Sequence, residues 1–142
     1  MLNFSELLAE LIYEQKMDKK TFANTVGINA TCISHYILGK HIPTVEHLIQ
    51  IADYFNCSTD FLLGREEENH NLAFKKCPPF SKQLIFLKQT FNRKPSEIYG
   101  GTEIAKTSYY NWLRGKQPSL DNIISLATLF DCRIDFVLGR ES

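Results

Sequence analysis

The chain repeats itself, and that repetition limits its possible folds more than any other feature. Cys57 to Glu66 reads CSTDFLLGRE, and Cys132 to Glu141 reads CRIDFVLGRE, 75 positions later. Upstream, FSELLAEL from Phe4 returns as FSKQLIFL from Phe80, at an offset of 76. The one-residue change falls between the turns GKHIP, Gly39 to Pro43, and GKQP, Gly115 to Pro118. Ile49, Ala52 and Phe55 return as Ile124, Ala127 and Phe130. Matching order over nearly the whole chain points to one small domain present twice. The expected division is a first copy at 1–65, a linker at 66–78 and a second copy at 79–142. The linker begins EEEN and ends beside the pair Pro78–Pro79, a composition that suits a connector. Extended, it reaches about 45 Å, although Leu72 and Phe74 have the character to pack on a domain.

Each copy reads as short helices. Leu7, Leu8, Leu11 and Ile12 recur at three- and four-residue spacing, which predicts a first helix over about residues 3–15. Asp18 is placed to cap a second helix, about 19–26, by accepting a backbone N–H. Gly27 supplies a left-handed turn. Asn29 is placed to cap a third helix, about 30–37, which Gly39 ends. Pro43 and Thr44 open a fourth with Leu48, Ile49, Ala52 and Phe55 on one face. A short fifth carries Phe61, Leu62 and Leu63 and stops at Gly64. Nothing alternates like a strand, and Pro79 to Gly139 follows the same plan.

Composition narrows the function classes. The opening residues carry Glu6 and Glu10 and lack the basic start and apolar middle of a signal peptide. No apolar run approaches the ~20 residues that cross a bilayer, so a cytoplasmic protein without a membrane partner is expected. Cys32, Cys57, Cys77 and Cys132 form no CxxC pair, and no His pair has finger spacing. Reduced thiols are therefore expected, with no metal. No paired carboxylates, nucleophile with base, or phosphate loop stands at a recognisable spacing, so neither an enzyme nor a cofactor is expected. The net charge of zero argues mildly against nucleic acid. Its distribution does not: residues 1–69 hold five Lys/Arg against ten Asp/Glu, net −5, and residues 70–142 hold eleven against six, net +5.

The segment from Lys19 to Leu38 has the layout in which one helix braces the next against DNA. The longer string KKTFANTVGINATCISHYILGKHIPTVEHLIQIADYFNCSTDFLLG resembles the phage-repressor and Cro-type family, also called the xenobiotic response element family. The marks are Phe22–Ala23, the Gly27-Ile28-Asn29 turn, Ile33, Gly39–Lys40, Pro43, the IADYF helix and the DFLLG ending. The resemblance covers residues 3–65, and extends to 79–140 through TSYYNWLRGKQPSLDNIISLATLF. It implies an all-α protein: two tandem lambda-repressor-like five-helix domains, each reading double-stranded DNA with its third helix.

Carried over residue by residue, the resemblance assigns base reading in the first copy to Ala30, Thr31, Cys32 and His35, with Ser34 nearby. Lys19, Lys20, Asn29 and Lys40 become phosphate contacts. In the second copy Lys106, Thr107, Ser108 and Asn111 take the reading positions, and Asn and Lys suit adenine and guanine edges. Arg93, Lys94, Arg114 and Lys116 surround them as phosphate clamps. This copy departs from the pattern. Tyr99 stands for Ala23, Glu103 for Gly27 and Tyr109 for Ile33, which puts the angle between its second and third helices in question. Gly100 and Gly101 either restore room or loosen the helix. Tyr109, Tyr110 and Trp112 suit a core or interface better than base stacking.

The expectation is a sequence-specific DNA-binding transcriptional regulator, a repressor by family habit, with a homodimer left open. The alternative is a protein-interaction module that keeps the fold after losing DNA binding in one or both copies.

Overall fold

The computed structural model describes residues 3–69 and 73–141. Among them are ten helices and no strand. They form two compact units, one holding the described residues up to 69 and the other those from 73 onward.

The first unit contains α1 (Phe4–Glu14), α2 (Lys19–Val26), α3 (Ala30–Ile37), α4 (Val45–Phe55) and α5 (Thr59–Leu62). Its helices start where short polar side chains accept otherwise unpaired N–H groups. Asn3 Oδ1 accepts from Glu6 at 2.9 Å, Asp18 Oδ1 from Thr21 at 2.7 Å, and Thr44 Oγ1 from His47 at 3.1 Å. Helix α3 packs on α1 and α2, α2 also meets α4, and α5 closes on α1 and α4. Leu8, Phe22, Ile33, Leu48, Ile51 and Leu62 are fully buried between them. One expected face is rotated. Ile51 rather than Ile49 joins Leu48 and Ala52 in the core, and Ile49 is half-buried. Phe55 is also half-buried, with its ring stacked on Phe22 at 5.6 Å.

The second unit contains α6 (Phe80–Thr90), α7 (Pro95–Tyr99), α8 (Lys106–Leu113), α9 (Leu120–Phe130) and α10 (Ile134–Leu138). Helix α8 packs on α6 and α7, and α10 closes on α6 and α9. The ring contact Phe4–Tyr36 (5.9 Å) in the first unit has its counterpart in Phe80–Trp112 (5.8 Å), at the 76-residue offset. Core filling differs where Ile98 stands for Phe22: Phe91 supplies the missing ring, stacked on Phe130 at 4.6 Å.

Backbone geometry follows the repeat closely. Nine described residues have positive φ, and eight of them pair at the repeat offsets: Lys16 with Asn92, Gly39 with Gly115, Asn56 with Asp131, Gly64 with Gly139. Gly27 alone has no counterpart.

The repeated DFxLGRE ending is held by an ion pair. Asp135 Oδ1 accepts from Arg140 at 2.9 Å, and both side chains are almost completely buried. The equivalent Asp60–Arg65 pair spans 3.2 Å, with Arg65 34% exposed. Residues towards both ends of the predicted linker pack on their nearer unit. Asn69 Oδ1 accepts from the Ser58 N–H at 3.4 Å. The Phe74 ring lies 3.9 Å from the Arg140 guanidinium carbon, and the Lys75 N–H donates to the Arg140 carbonyl at 2.8 Å. Phe74 thus packs on a domain, while Leu72 lies outside the described residues.

Removing Arg140 breaks the shorter ion pair of the buried Asp135, which Arg133 still meets at 3.6 Å; breaking a buried pair costs about 3–5 kcal/mol. Trp112, the single tryptophan, is buried in the second unit and reports on that unit. Arg140→Ala is expected to lower the Trp112 fluorescence melting midpoint by about 10 °C or more. Arg65→Ala, which removes the more exposed partner, is expected to leave that midpoint in place.

Candidate nucleic-acid interface

Helix α3 has eight residues, too few to be helical alone in water, where about 12–15 are marginal. Its orientation therefore comes from what it buries. Ile33 and Tyr36 point inward. The Tyr36 hydroxyl lies 2.6 Å from His47 Nδ1 on α4, and burial pushes its phenol pKa up. Ala23 is 1% exposed where α2 meets α3, small enough for close approach, and Ile28 is buried beneath the turn. The turn is tight because the N–H groups of Gly27 and Ile28 both donate to the Ala23 carbonyl, at 2.9 and 3.0 Å. Gly27 has φ +76°, in the left-handed region that glycine adopts without Cβ strain.

With that face buried, the assigned residues lie on the other side. Ala30 and Thr31 are exposed, and Cys32, Ser34 and His35 are half-buried. Asn29 Oδ1 accepts from the Thr31 N–H at 2.7 Å, leaving its amide N–H groups as the donors a phosphate requires. Lys19, Lys20 and Lys40 are all exposed. The Asp18 carboxylate that caps α2 has its pKa held below the usual range, chiefly by the Thr21 backbone N–H. His41 went unremarked in the sequence. Its ring meets His35 edge-on at 4.9 Å, adding a second imidazole to this surface. Leu38 and Ile42 add exposed apolar surface, at 61% and 60%.

Helix α8 presents the same surface with different chemistry. Residues 106–116 repeat the exposure classes of residues 30–40 at every one of the eleven positions. Tyr109 and Trp112 are buried where Ile33 and Tyr36 are, so neither ring is available to stack on a base. Tyr99, Tyr109 and Tyr110 form a ring cluster with centroids 5.2–6.2 Å apart. Lys106, Thr107, Arg114 and Lys116 are exposed, and Ser108 and Asn111 are half-buried. Arg114 Nη1 donates to Asn111 Oδ1 at 3.3 Å, on the same face. The exposed positions held by Ala30 and Leu38 in the first copy are Lys106 and Arg114 here. Arg93 sits 4.0 Å from Glu97, an exposed pair, and the Lys94 N–H donates to Glu97 Oε1 at 3.0 Å.

The departures in the second copy shorten its bracing helix. Helix α7 ends at Tyr99, five residues long against eight for α2. Gly100 and Gly101 thus mark where the helix stops. A loop follows, pinned by the Thr102 hydroxyl, which donates to the Ile98 carbonyl at 2.6 Å and accepts from the Ile104 N–H at 3.1 Å. Glu103 is not among the positive-φ residues, so the Gly27 turn has no equivalent here. Among the described residues no group of His, Cys, Asp and Glu is arranged to hold a metal. No described helix is long and apolar enough to cross a membrane.

Residues 5–68 match the family model described as a helix-turn-helix domain. The N-terminal half therefore carries one helix-turn-helix domain. Over 70 residues the chain is 36% identical to the cryptic phage CTXphi transcriptional repressor RstR of Vibrio cholerae, covering 46% of this chain and 62% of the relative. Over 70 residues it is 29% identical to an uncharacterized HTH-type transcriptional regulator of Rickettsia conorii, covering 46% of this chain and 64% of that protein. A similarly described regulator of Rickettsia prowazekii is also 29% identical, with 76% of its length covered. The chain thus spans a little under two thirds of two of these relatives. No solved structure matches it.

Nothing lies within 4 Å of a Cβ built on Gly27. The cost of Gly27→Ala is therefore conformational alone, about 1–2 kcal/mol for a left-handed non-glycine residue. The variant is expected to lower the melting midpoint of helical circular dichroism while leaving the Trp112 fluorescence transition unmoved.

Proposed function

We propose that the chain is a sequence-specific transcriptional repressor that reads the major groove with α3 and, through a second and divergent copy of the same domain, with α8. The observation that carries this reading is the shared order of exposed and buried positions over residues 30–40 and 106–116. A helix held by two inward residues offers the same outward row in both units. In the first unit that row is nearly neutral: Ala30 suits a thymine methyl, Thr31 a methyl or a base edge, and His35 a donor or acceptor. In the second it is cationic, with Lys106, Arg114 and Lys116 around Thr107 and Asn111. The division of labour follows from the charges. Salt-sensitive affinity comes chiefly from the second copy, and base discrimination is added by the first. Because the two rows differ, the site recognised by one chain is asymmetric rather than a perfect palindrome.

A second reading has its own support: the short α7 and the missing left-handed turn favour a second unit that keeps the fold as an interaction module. Salt dependence separates the two.

The test is to select fragments from random DNA with the full chain and measure affinity across salt concentrations. Affinity is expected to fall steeply as salt rises. Arg114→Ala and Lys116→Ala are each expected to reduce the slope of log affinity against log salt by about 1. His35→Ala is expected to change sequence preference, whereas Lys40→Ala weakens all sequences alike. Absence of DNA binding at low salt overturns the proposal. Binding whose salt slope is untouched by both second-copy variants restricts DNA reading to the first unit.

A further inference from the structure

The third helices of the two units hold equivalent outward positions by different partners. Asn111 on α8 corresponds to His35 on α3. His35 meets the ring of His41 from the following turn. Asn111 meets the end of its own helix, where Arg114 Nη1 donates to Asn111 Oδ1 at 3.3 Å. Leu38, the counterpart of Arg114, has no side-chain donor, so the first copy cannot make this bond. The main chain ties the same two residues together. The Asn111 carbonyl accepts from the Arg114 N–H at 3.1 Å and from the Lys116 N–H at 3.0 Å. Arg114 caps the C-terminal end of α8, immediately before Gly115, whose φ of +107° turns the chain out of the helix. The backbone that carries the guanidinium is thus fixed against the residue that the guanidinium meets.

We propose, resting on the reading of α8 as a base-reading helix given above, that Arg114 is a positioning residue that commits Asn111 to adenine. An asparagine amide is nearly symmetric in shape, but its two ends have opposite hydrogen-bonding character. A free amide turns over to suit different base edges. A guanidinium carries donors and no acceptor, so it holds the amide with Oδ1 towards itself and the NH2 group away. Oδ1 keeps a second lone pair, which accepts from adenine N6 while Nδ2 donates to N7. Guanine presents two acceptors on that edge, O6 and N7. In the held orientation Oδ1 faces guanine O6, oxygen against oxygen. Turning the amide over relieves that contact, but it breaks the bond to Arg114 and sets NH2 against the guanidinium donors. Arg114 therefore disfavours guanine at the base that Asn111 meets. Its remaining N–H groups stay available to a phosphate oxygen. One side chain thus links the register on the DNA backbone to the choice of base.

Competition between DNA that the full chain has selected and single-base variants of that DNA tests this. Asn111→Ala is expected to abolish an adenine-over-guanine preference of about fivefold or more at one position of the site. Arg114→Ala is expected to lose most of the preference at that same position, besides weakening all sequences alike. In the Asn111→Ala background, Arg114→Ala is expected to keep its uniform loss and to change no base preference, the non-additivity of two residues that act as a pair. A phosphate contact alone does not move the preference at one base, and an unchanged Trp112 emission and circular dichroism spectrum identify variants that remain folded. Arg114→Ala that weakens all sequences without altering that preference overturns the proposal and leaves reading by α8 standing. A wild-type preference for guanine at the position sensitive to Asn111→Ala overturns it as well. Asn111→Ala without effect on any base preference overturns base reading by Asn111, and the role of Arg114 with it.

Discussion

An eight-residue helix cannot hold its own shape in water, and everything in the proposed interface depends on how this chain overcomes that. Helices α3 and α8 each have eight residues. Each is held by two inward side chains spaced three apart, Ile33 with Tyr36 and Tyr109 with Trp112. A ring from the preceding unit-opening helix, Phe4 or Phe80, meets the second member of each pair edge-on. Fixing one face of so short a helix fixes the other. The outward row is therefore determined by packing, and its side chains vary without disturbing the fold. That separation lets one unit present a nearly neutral row and the other a cationic one.

The two units reach this arrangement by different local means. In the first, Ala23 permits close approach and Gly27 makes the tight left-handed exit from α2. In the second, α7 stops three residues short, and the Thr102 hydroxyl does the joining that the Gly27 turn does in the first. Tyr99 is accommodated because the helix ends there, against the rings of Tyr109 and Tyr110. Loss of the Phe22 ring is offset by Phe91 stacking on Phe130. Such compensations follow from dense interiors, where a volume removed at one position must be filled from another.

Most of the helix plan was legible because caps and glycines are local signals. Asp18, Asn29 and Thr44 act on N–H groups two or three residues away, so spacing alone locates them. The inward choice of Ile51 over Ile49 was not legible, since both are isoleucines and only the path of α4 across the core distinguishes them. The Asp60–Arg65 and Asp135–Arg140 pairs were printed twice in the sequence at five-residue spacing. Repetition of two charges inside an apolar segment is the signal that identifies them as partners. The edge contact between His35 and His41 had no such signal, because it depends on the path of a turn.

Thr31 and Thr107 occupy equivalent exposed positions on α3 and α8, and they make the central claim directly measurable. A photo-crosslinking residue placed at each in turn, in the full chain bound to DNA it has selected, reports whether that helix touches bases. Tyr13, 83% exposed on α1, serves as the control. The account predicts crosslinks to DNA from position 31 and from position 107, at different bases, and none from position 13. Crosslinks from position 31 with none from position 107 contradict the claim that both units read DNA. Silence at both positions contradicts the interface altogether.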